Sequence, residues 1–240
     1  MKKSLTIAIP LFNEEEGIEN LYNELSSEMQ NIQKYVDLEI ILVNDGSTDK
    51  TEDLLEKFFV DNKYEIITHE KNLNLDGFLR TSIDRCKTDY IAFLDSDCTY
   101  SPRLITDMVK ILNDDIDVIN ASPWHPDGNV VGLSKSRELI SKIANLIYRI
   151  LLNKKVYTSS SILKLYRFEK IRNIDLKSNG YVVITELFCK VLLKDPNFIE
   201  FPCQLKVRMY GSSKIQFTST IFNHLSFMKQ LLVLKIKQNN

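Results

Sequence analysis

The segment "YIAFLDSDCTYSP", residues 90–102, decides the fold. Its apolar run from Ile91 to Leu94 leads straight into two carboxylates, Asp95 and Asp97, and then into the pair Ser101 and Pro102. An unbroken apolar run of this length, bounded by turn residues, reads as a buried strand of a parallel sheet. Ser101 followed by Pro102 is a helix-start signal, with serine as N-cap and proline at the first helical position. Asp95 and Asp97 are therefore expected at the carboxyl end of a central strand, where open α/β sheets bind ligands.

Outward from this segment, strand and helix signals alternate. Leu5 to Ile9 is a short apolar strand, and Asn13 with Glu16 forms an expected capping box for a helix with apolar face Ile18, Leu21, Tyr22, Leu25, Met29 and Ile32. "LEIILVND" is a second strand, and Asp49 with Glu52 is expected to cap a second helix carrying Leu54, Leu55, Phe58 and Phe59. "YEIITHE" is a third strand, and residues 77–86 a third helix. The expected class is α/β, a doubly wound, mostly parallel sheet flanked by helices. Each earlier strand also ends in polar residues, in "IPLFNEEE", "VNDGSTD" and "HEKNLNLDG", so four successive strands aim polar groups at one sheet edge.

Past residue 122 the pattern changes. "SPWHPDGNVVG" is turn-rich, residues 134–153 read as a long apolar helix, and mixed elements lead to the final "STIFNHLSFMKQLLVLKIK". With 240 residues, 44% hydrophobic content, 7 Gly and 6 Pro, the chain reads as one domain, residues 1–240, with halves 1–121 and 122–240. Cys86, Cys98, Cys189 and Cys203 form no C-x-x-C pair and read as buried thiols of a reducing compartment. The N-terminal "LTIAIPLF" is too short for a signal peptide and runs into the acidic "NEEEGIEN", and no stretch approaches the roughly 18 apolar residues of a membrane span. Net charge is −1, but residues 201–240 hold Lys206, Arg208, Lys214, Lys229, Lys235 and Lys237 and no acid, leaving −7 on the first 200. No interleaved aromatic and basic pattern accompanies that charge, so no nucleic-acid partner is expected.

Three roles can be weighed for Asp95 and Asp97. Helix capping is already supplied by Ser101, and a retaining-glycosidase pair would have to flank a sugar from opposite sides, which residues two apart on one strand end cannot readily do. Holding one hard divalent cation suits the spacing, because neighbouring carboxylates can share it while open positions remain for diphosphate oxygens. Asp45, before Gly46, reads either as an Asx-type turn residue or as a carboxylate accepting from a base N–H.

Taken together, "IPLFNEEEGI", "ILVNDGSTDKT", "NLNLDGFLRTSI" and "YIAFLDSDCTYSP", in this order and spacing, resemble the GT-A domain of family 2 glycosyltransferases, in its dolichol-phosphate mannosyltransferase and polyprenyl-phosphate glycosyltransferase branch. The resemblance implies a GT-A, Rossmann-like sheet with a C-terminal acceptor-binding part. It implies that Pro10, Phe12, Asn13 and Glu14 border the nucleotide, that Asp45 recognises the base, and that Asn72 and Gly77 join the donor-binding set. Asp95 and Asp97 match the D-x-D that holds Mg²⁺ or Mn²⁺ against the diphosphate of a UDP- or GDP-sugar. The branch often has glutamine two residues after this motif, where this chain has Thr99.

In the second half the Q-x-x-R-W motif of processive synthases is absent, Trp124 being the only tryptophan. "VRMYGSSKI" resembles the R-x-x-G-x-S-K element of the polyprenyl-phosphate branch. By that resemblance Arg208, Ser213 and Lys214 face an acceptor phosphate, with Gly211 allowing close backbone approach. The chemistry agrees: arginine grips phosphate bidentately, lysine adds a compact charge, and a phosphate acceptor is already an anionic nucleophile. Where the branch has S-G-F-R this chain reads Ser161, Ile162, Leu163 and Lys164, so Lys164 takes the arginine's place.

Residues 134–153 and 219–238 are apolar helices with basic edges, Lys135, Arg137, Lys142 and Arg149 in the first. They read either as core-packing helices or as helices lying on an anionic leaflet. The leading expectation is an inverting, metal-assisted hexosyltransferase, cytoplasmic and peripheral on a membrane face, acting on a lipid phosphate. The competing expectations are transfer to a hydroxyl, with Glu186 or Asp127 as base, and a non-catalytic nucleotide-sugar or lipid binder.

Overall fold

Strands β1 (Lys3–Leu11), β2 (Val36–Asn44), β3 (Tyr64–Thr68) and β4 (Tyr90–Phe93) alternate with helices α1 (Ile18–Gln33), α2 (Thr51–Phe58) and α3 (Asn74–Arg85), and α4 (Arg103–Ile111) follows. The second half contributes β5 (Val118–Ser122), β6 (Asn129–Val131), α5 (Lys135–Leu152), β7 (Lys164–Arg167), α6 (Phe168–Ile171), α7 (Val182–Leu192), β8 (Phe198–Pro202), β9 (Gln204–Lys206) and α8 (Phe217–Asn239). The structure is a computed structural model that describes residues 2–61, 63–206 and 217–239. Arg208, Gly211, Ser213 and Lys214 lie outside the described residues.

One seven-stranded sheet runs β3-β2-β1-β4-β7-β5-β8. β7 is antiparallel to both of its neighbours, and the other pairs are parallel. β5 straddles the division at 121/122, so the two halves meet within the sheet rather than across a linker. β6 and β9 form a separate parallel pair.

Central strands read as continuous apolar runs because both faces are covered. Alternate residues serve opposite layers: Ile7, Ile9, Leu42, Ala92 and Leu94 pack beneath α1, α2 and α4, while Ala8, Ile41, Val43, Ile91 and Phe93 pack beneath α3, α5, α7 and α8. The expected apolar face of α1 is buried at Ile18, Leu21, Leu25, Met29 and Ile32. Cys86, Cys189 and Cys203 are buried, Cys98 is half-buried, and all four are free thiols.

The expected capping boxes differ from what is found. α1 starts at Ile18 after Gly17 with no side-chain cap. Asn13, in a left-handed conformation with φ of 52°, instead accepts the Thr48 N–H at 2.8 Å. Its oxygen is bound to a neighbouring loop, and α1 begins only at Ile18, beyond the reach of a cap from Asn13. At α2, Asp49 does accept the Thr51 N–H at 3.0 Å, but Glu52 accepts from the Thr68 hydroxyl at 3.0 Å rather than completing a box. At α4, Ser101 and Pro102 fall one position earlier than expected, with Pro102 as N-cap.

α5 buries only Asn145, Tyr148 and Leu152. It docks on α8 through Tyr148, whose hydroxyl lies 2.8 Å from His224 Nδ1 and whose ring packs by Phe227. The Lys235 ammonium donates to the Leu151 carbonyl at 2.7 Å. Among the described residues no helix is long and apolar enough to cross a membrane.

Burial pushes the His224 imidazole below its ordinary value. The unfolded chain then takes up the proton first, so stability present above the ordinary value of about 6.5 is lost as pH falls toward the folded-state value. Thermal melts between about pH 7 and pH 5 are expected to fall more steeply for the parent than for His224→Gln, which keeps a partner for Tyr148 but cannot titrate.

Candidate active site

The carboxyl ends of β1, β2, β3 and β4 lie along one edge, and their loops bind one another. The Asp45 N–H donates to the Leu11 carbonyl at 2.8 Å, His69 N–H to the Asn44 carbonyl at 2.9 Å, and Leu94 N–H to the Ala8 carbonyl at 3.0 Å. The loop after β1 is tied to the loop after β2: Asn13 N–H donates to Ser47 Oγ at 2.9 Å and Glu14 N–H to Thr51 Oγ1 at 2.8 Å. Pro10 is in register with Val43, so Pro10, Phe12, Asn13 and Glu14 run alongside the turn that begins at Asp45.

Asp45 is buried, its side chain only 6% exposed. Its Oδ1 accepts the Leu73 N–H at 2.8 Å and lies 2.7 Å from His69 Nδ1. Gly46 follows with φ of +67°, and a Cβ there would sit 2.5 to 2.8 Å from the backbone of Lys71 and Asn72. Only glycine permits both that conformation and that approach. Asn72 is thereby held beside Asp45, and its Oδ1 accepts the Asn74 N–H at 2.9 Å. Gly77 lies in the first turn of α3, where a Cβ would collide with the Leu73 side chain at 2.2 Å. Asp45 is thus brought beside Asn72 and Gly77, about 30 residues further along the chain, through residues 71–73.

Asp95 and Asp97 lie immediately beyond β4, beside β1. Asp97 accepts the Thr99 N–H at 3.0 Å, Asp95 lies 3.4 Å from the Tyr100 N–H, and Cys98 takes a left-handed φ of 53° to close the turn. Burial first, and then the charge of Asp97, push the Asp95 carboxyl well above the ordinary carboxylate range. Two acidic groups held together in a half-buried turn suit a hard cation with oxygen ligands, which would relieve their repulsion. Among the described residues no cluster of three or more His, Cys, Asp or Glu side chains could hold a metal ion.

Several second-half candidates are placed differently from the sequence expectation. Lys164 was expected at an acceptor-facing position but is 0% exposed. Its ammonium donates to the Ser161 carbonyl and lies 4.8 Å from the centre of the Phe188 ring. The residue is in register with Asn120, which is in register with Glu200, a polar row across β7, β5 and β8. Asn120 Nδ2 donates to Glu200 Oε1 at 3.0 Å. Burial lowers the Lys164 amine to about 7, against the pull of Glu200. Glu186 is neither an exposed helix edge nor an accessible base. It is 0% exposed and accepts from the N–H groups of Lys177 and Ser178 and from the Lys190 ammonium at 2.6 Å. Asp127 is an exposed turn residue 3.5 Å from His125.

The sequence did not single out His69, whose Nδ1 lies 2.7 Å from Asp45 Oδ1, or Thr81, whose Oγ1 lies 2.8 Å from His69 Nε2. Their signal was faint: a histidine directly after the third strand, and a threonine on the next helix at a distance only the fold closes. Lys206, at the end of β9, donates its N–H to the Thr99 carbonyl at 3.3 Å and so joins β9 to the D-x-D turn.

Polar and acidic loops gathered at the carboxyl edge of this mostly parallel sheet define the GT-A class. Residues 6–175 match the profile described as Glycosyl transferase family 2, and the chain belongs to that family. It is 24% identical over 230 residues to a dolichol-phosphate mannosyltransferase of Pyrococcus furiosus, a match covering 95% of this chain and 63% of that protein. The chain thus spans less than two thirds of that relative's length. The fold is also that of glucosyl-3-phosphoglycerate synthase from Mycobacterium tuberculosis. Its complex with phosphoglyceric acid superposes with a TM-score of 0.69 at 18% identity, covering 93% of this chain and 79% of the other. Its complex with Mn²⁺, UDP and glucosyl-3-phosphoglycerate gives 0.64 at 18% identity, covering 98% and 78%.

The Lys164 amine, about 7 in the fold against an ordinary 10.5, makes the unfolded chain bind more protons between those values. Stability is therefore lost as pH falls from the ordinary lysine range toward neutrality. Lys164→Met, similar in volume, is expected to remove this slope and to stabilise at neutral pH by on the order of 1 to 3 kcal/mol. Urea unfolding of both proteins at about pH 7 and about pH 9.5 measures it.

Proposed function

We propose that this chain transfers a sugar, with inversion, from a nucleotide-sugar donor to a polyprenyl-phosphate-type lipid on a membrane surface. One domain does so, with residues 1–121 taking the donor and residues 122–240 the acceptor. The carrying observation is the bond from Lys206 N–H to the Thr99 carbonyl. It holds β9, which in sequence runs on toward the R-x-x-G-x-S-K element, against the D-x-D turn. Family membership and the dolichol-phosphate mannosyltransferase relative support the same reading.

In this mechanism Asp45 accepts from the base, and the loop from Pro10 to Glu14 walls the nucleotide. Asp95 and Asp97 would hold Mg²⁺ or Mn²⁺, which when bound offsets negative charge on the leaving diphosphate. The Mn²⁺ and UDP in the structural neighbour support a cation of this kind. Arg208, Ser213 and Lys214 orient the acceptor phosphate, whose oxygen attacks the anomeric carbon from the face opposite the leaving group. No general base is required, because the nucleophile is already an anion. That economy fits the placement of Glu186, whose acceptor capacity is spent inside the fold.

The membrane part of the proposal rests on α5 and α8, which pack together and expose apolar residues. On α5 these are Leu139, Ile143, Leu146 and Ile150, recurring every three or four residues, and on α8 Phe222, Leu225, Leu232, Val233 and Ile236. Lys135, Lys142, Arg149, Lys229 and Lys237 lie on the same two helices, the composition of helices that rest on an anionic leaflet. The chain would work at the cytoplasmic face, where anionic lipids are found.

Two experiments test these readings. Transfer to polyprenyl phosphate and to the matching polyprenol is measured for the parent, Asp97→Asn and Arg208→Ala. The alcohol is expected to be inert, Asp97→Asn to lose roughly a thousandfold in rate, and Arg208→Ala about ten- to a hundredfold while binding donor normally. Transfer to the alcohol at the phosphate's rate would remove the lipid-phosphate reading. Flotation with anionic vesicles is expected to recover the parent, to fall at high salt, and to be lost in Ile143→Glu/Leu146→Glu, with neutral vesicles binding weakly.

A further inference from the structure

The reading of Asp45 as the base-facing carboxylate leaves open which base it faces, and the hydrogen bonds around it bear on that choice. Both side-chain contacts that the described residues make to Asp45 end on one oxygen, Oδ1: Leu73 N–H at 2.8 Å and His69 Nδ1 at 2.7 Å. An ionised carboxylate only accepts, so Nδ1 carries the hydrogen and donates it. On the other side of the ring, Nε2 lies 2.8 Å from Thr81 Oγ1. The contacts at both ring nitrogens, from Thr81 through His69 to Asp45, fix the orientation of the ring. Two donors fill the lone pairs of Oδ1, and Oδ2 is the oxygen left for a ligand.

The carboxylate has little freedom to rearrange. Leu73 donates from backbone, and the neighbouring Gly46 is pressed against the backbone of Lys71 and Asn72 so closely that a Cβ would meet it at 2.5 Å. Uracil offers a carboxylate one imide hydrogen, N3–H, between two carbonyls, and one free oxygen suffices. Guanine offers two adjacent donors, N1–H and the N2 amino group, which pair with a carboxylate best when both oxygens are available. Here the second donor would face an oxygen already occupied.

Resting on the base-facing role of Asp45, we propose that the site takes a uridine nucleotide in preference to a guanosine nucleotide, and that His69 is the positioning residue that sets the preference by holding Oδ1. His69 touches neither the sugar nor the diphosphate in this scheme. It acts through Asp45, and its signature is a change in base preference rather than a general loss of affinity.

Calorimetric titration with UDP and with GDP, each with Mn²⁺, tests this on the parent, Asp45→Ala, His69→Phe and His69→Asn. The parent is expected to bind UDP about tenfold or more tighter than GDP, the penalty of one unsatisfied donor. Asp45→Ala is expected to weaken UDP and abolish the preference. His69→Phe removes one of the two donors to Oδ1, opening that position to the second guanine donor, and is expected to bring the two affinities together. His69→Asn, whose amide can return a donor near the Nδ1 position, is expected to restore the preference. Equal or tighter GDP binding by the parent, with Asp45→Ala weakening both nucleotides, overturns the uridine preference and leaves the base-facing role of Asp45 standing. Undiminished UDP binding by Asp45→Ala overturns both. A full UDP preference in a folded His69→Phe removes the role of His69, and the parent comparison tests the base preference without any variant.

Discussion

The backbone groups at the carboxyl ends of four adjacent strands must find partners at the rim of a core that excludes water, and this requirement organises the molecule. A buried N–H or C=O without a partner is costly, so chains leaving a sheet satisfy each other where they can. Here Leu11 receives Asp45, Asn44 receives His69, and Ala8 receives Leu94. Side chains extend the lacing, with Asn13 accepting from Thr48 and Asn44 from Ser47. The polar residues that terminate each strand are held in one place by the same bonds that end the sheet. The polar groups of the candidate site are gathered by the same closure of the sheet edge.

Charge is distributed around this edge by the same logic. Asp95 and Asp97 are kept close in a half-buried turn, a conflict that favours an added cation. Lys164 and Glu200 are placed on the helix-covered side of the second half, where both are pushed toward their neutral forms by burial. Asn120 stands between their register positions and bonds to Glu200.

The outer helices follow a different constraint. α5 and α8 are joined by a few specific contacts, Tyr148 with His224 and Phe227 and Lys235 with the Leu151 carbonyl, rather than by a broad apolar seam. Much of their apolar surface therefore stays outside the core: Leu139, Ile150 and Phe222 are 60%, 67% and 72% exposed. A large exposed apolar stripe signals an interaction surface rather than a packing residue out of place.

How much of this was legible beforehand can be judged element by element. The first four strands, the helices between them and the long helix over residues 134–153 were legible because they depend on local periodicity: unbroken apolar runs for doubly covered strands and a 3.6-residue repeat for helices. The positions of Asp45, Asp95 and Asp97 just beyond the carboxyl ends of β2 and β4 followed from the same reading, since a parallel sheet sends every carboxyl end to one edge. The capping partners of Asn13 and Glu52, the enclosure of Lys164 and Glu186 and the chain through His69 were decided only by tertiary structure. A side chain's hydrogen-bond partner depends on which neighbour comes within about 3 Å: for Asn13 that neighbour lies 35 residues away, and for Asp45 it is a histidine just beyond the next strand, 24 residues away. Sequence periodicity says which face a residue occupies, but only packing brings those distant groups within bonding distance of one another.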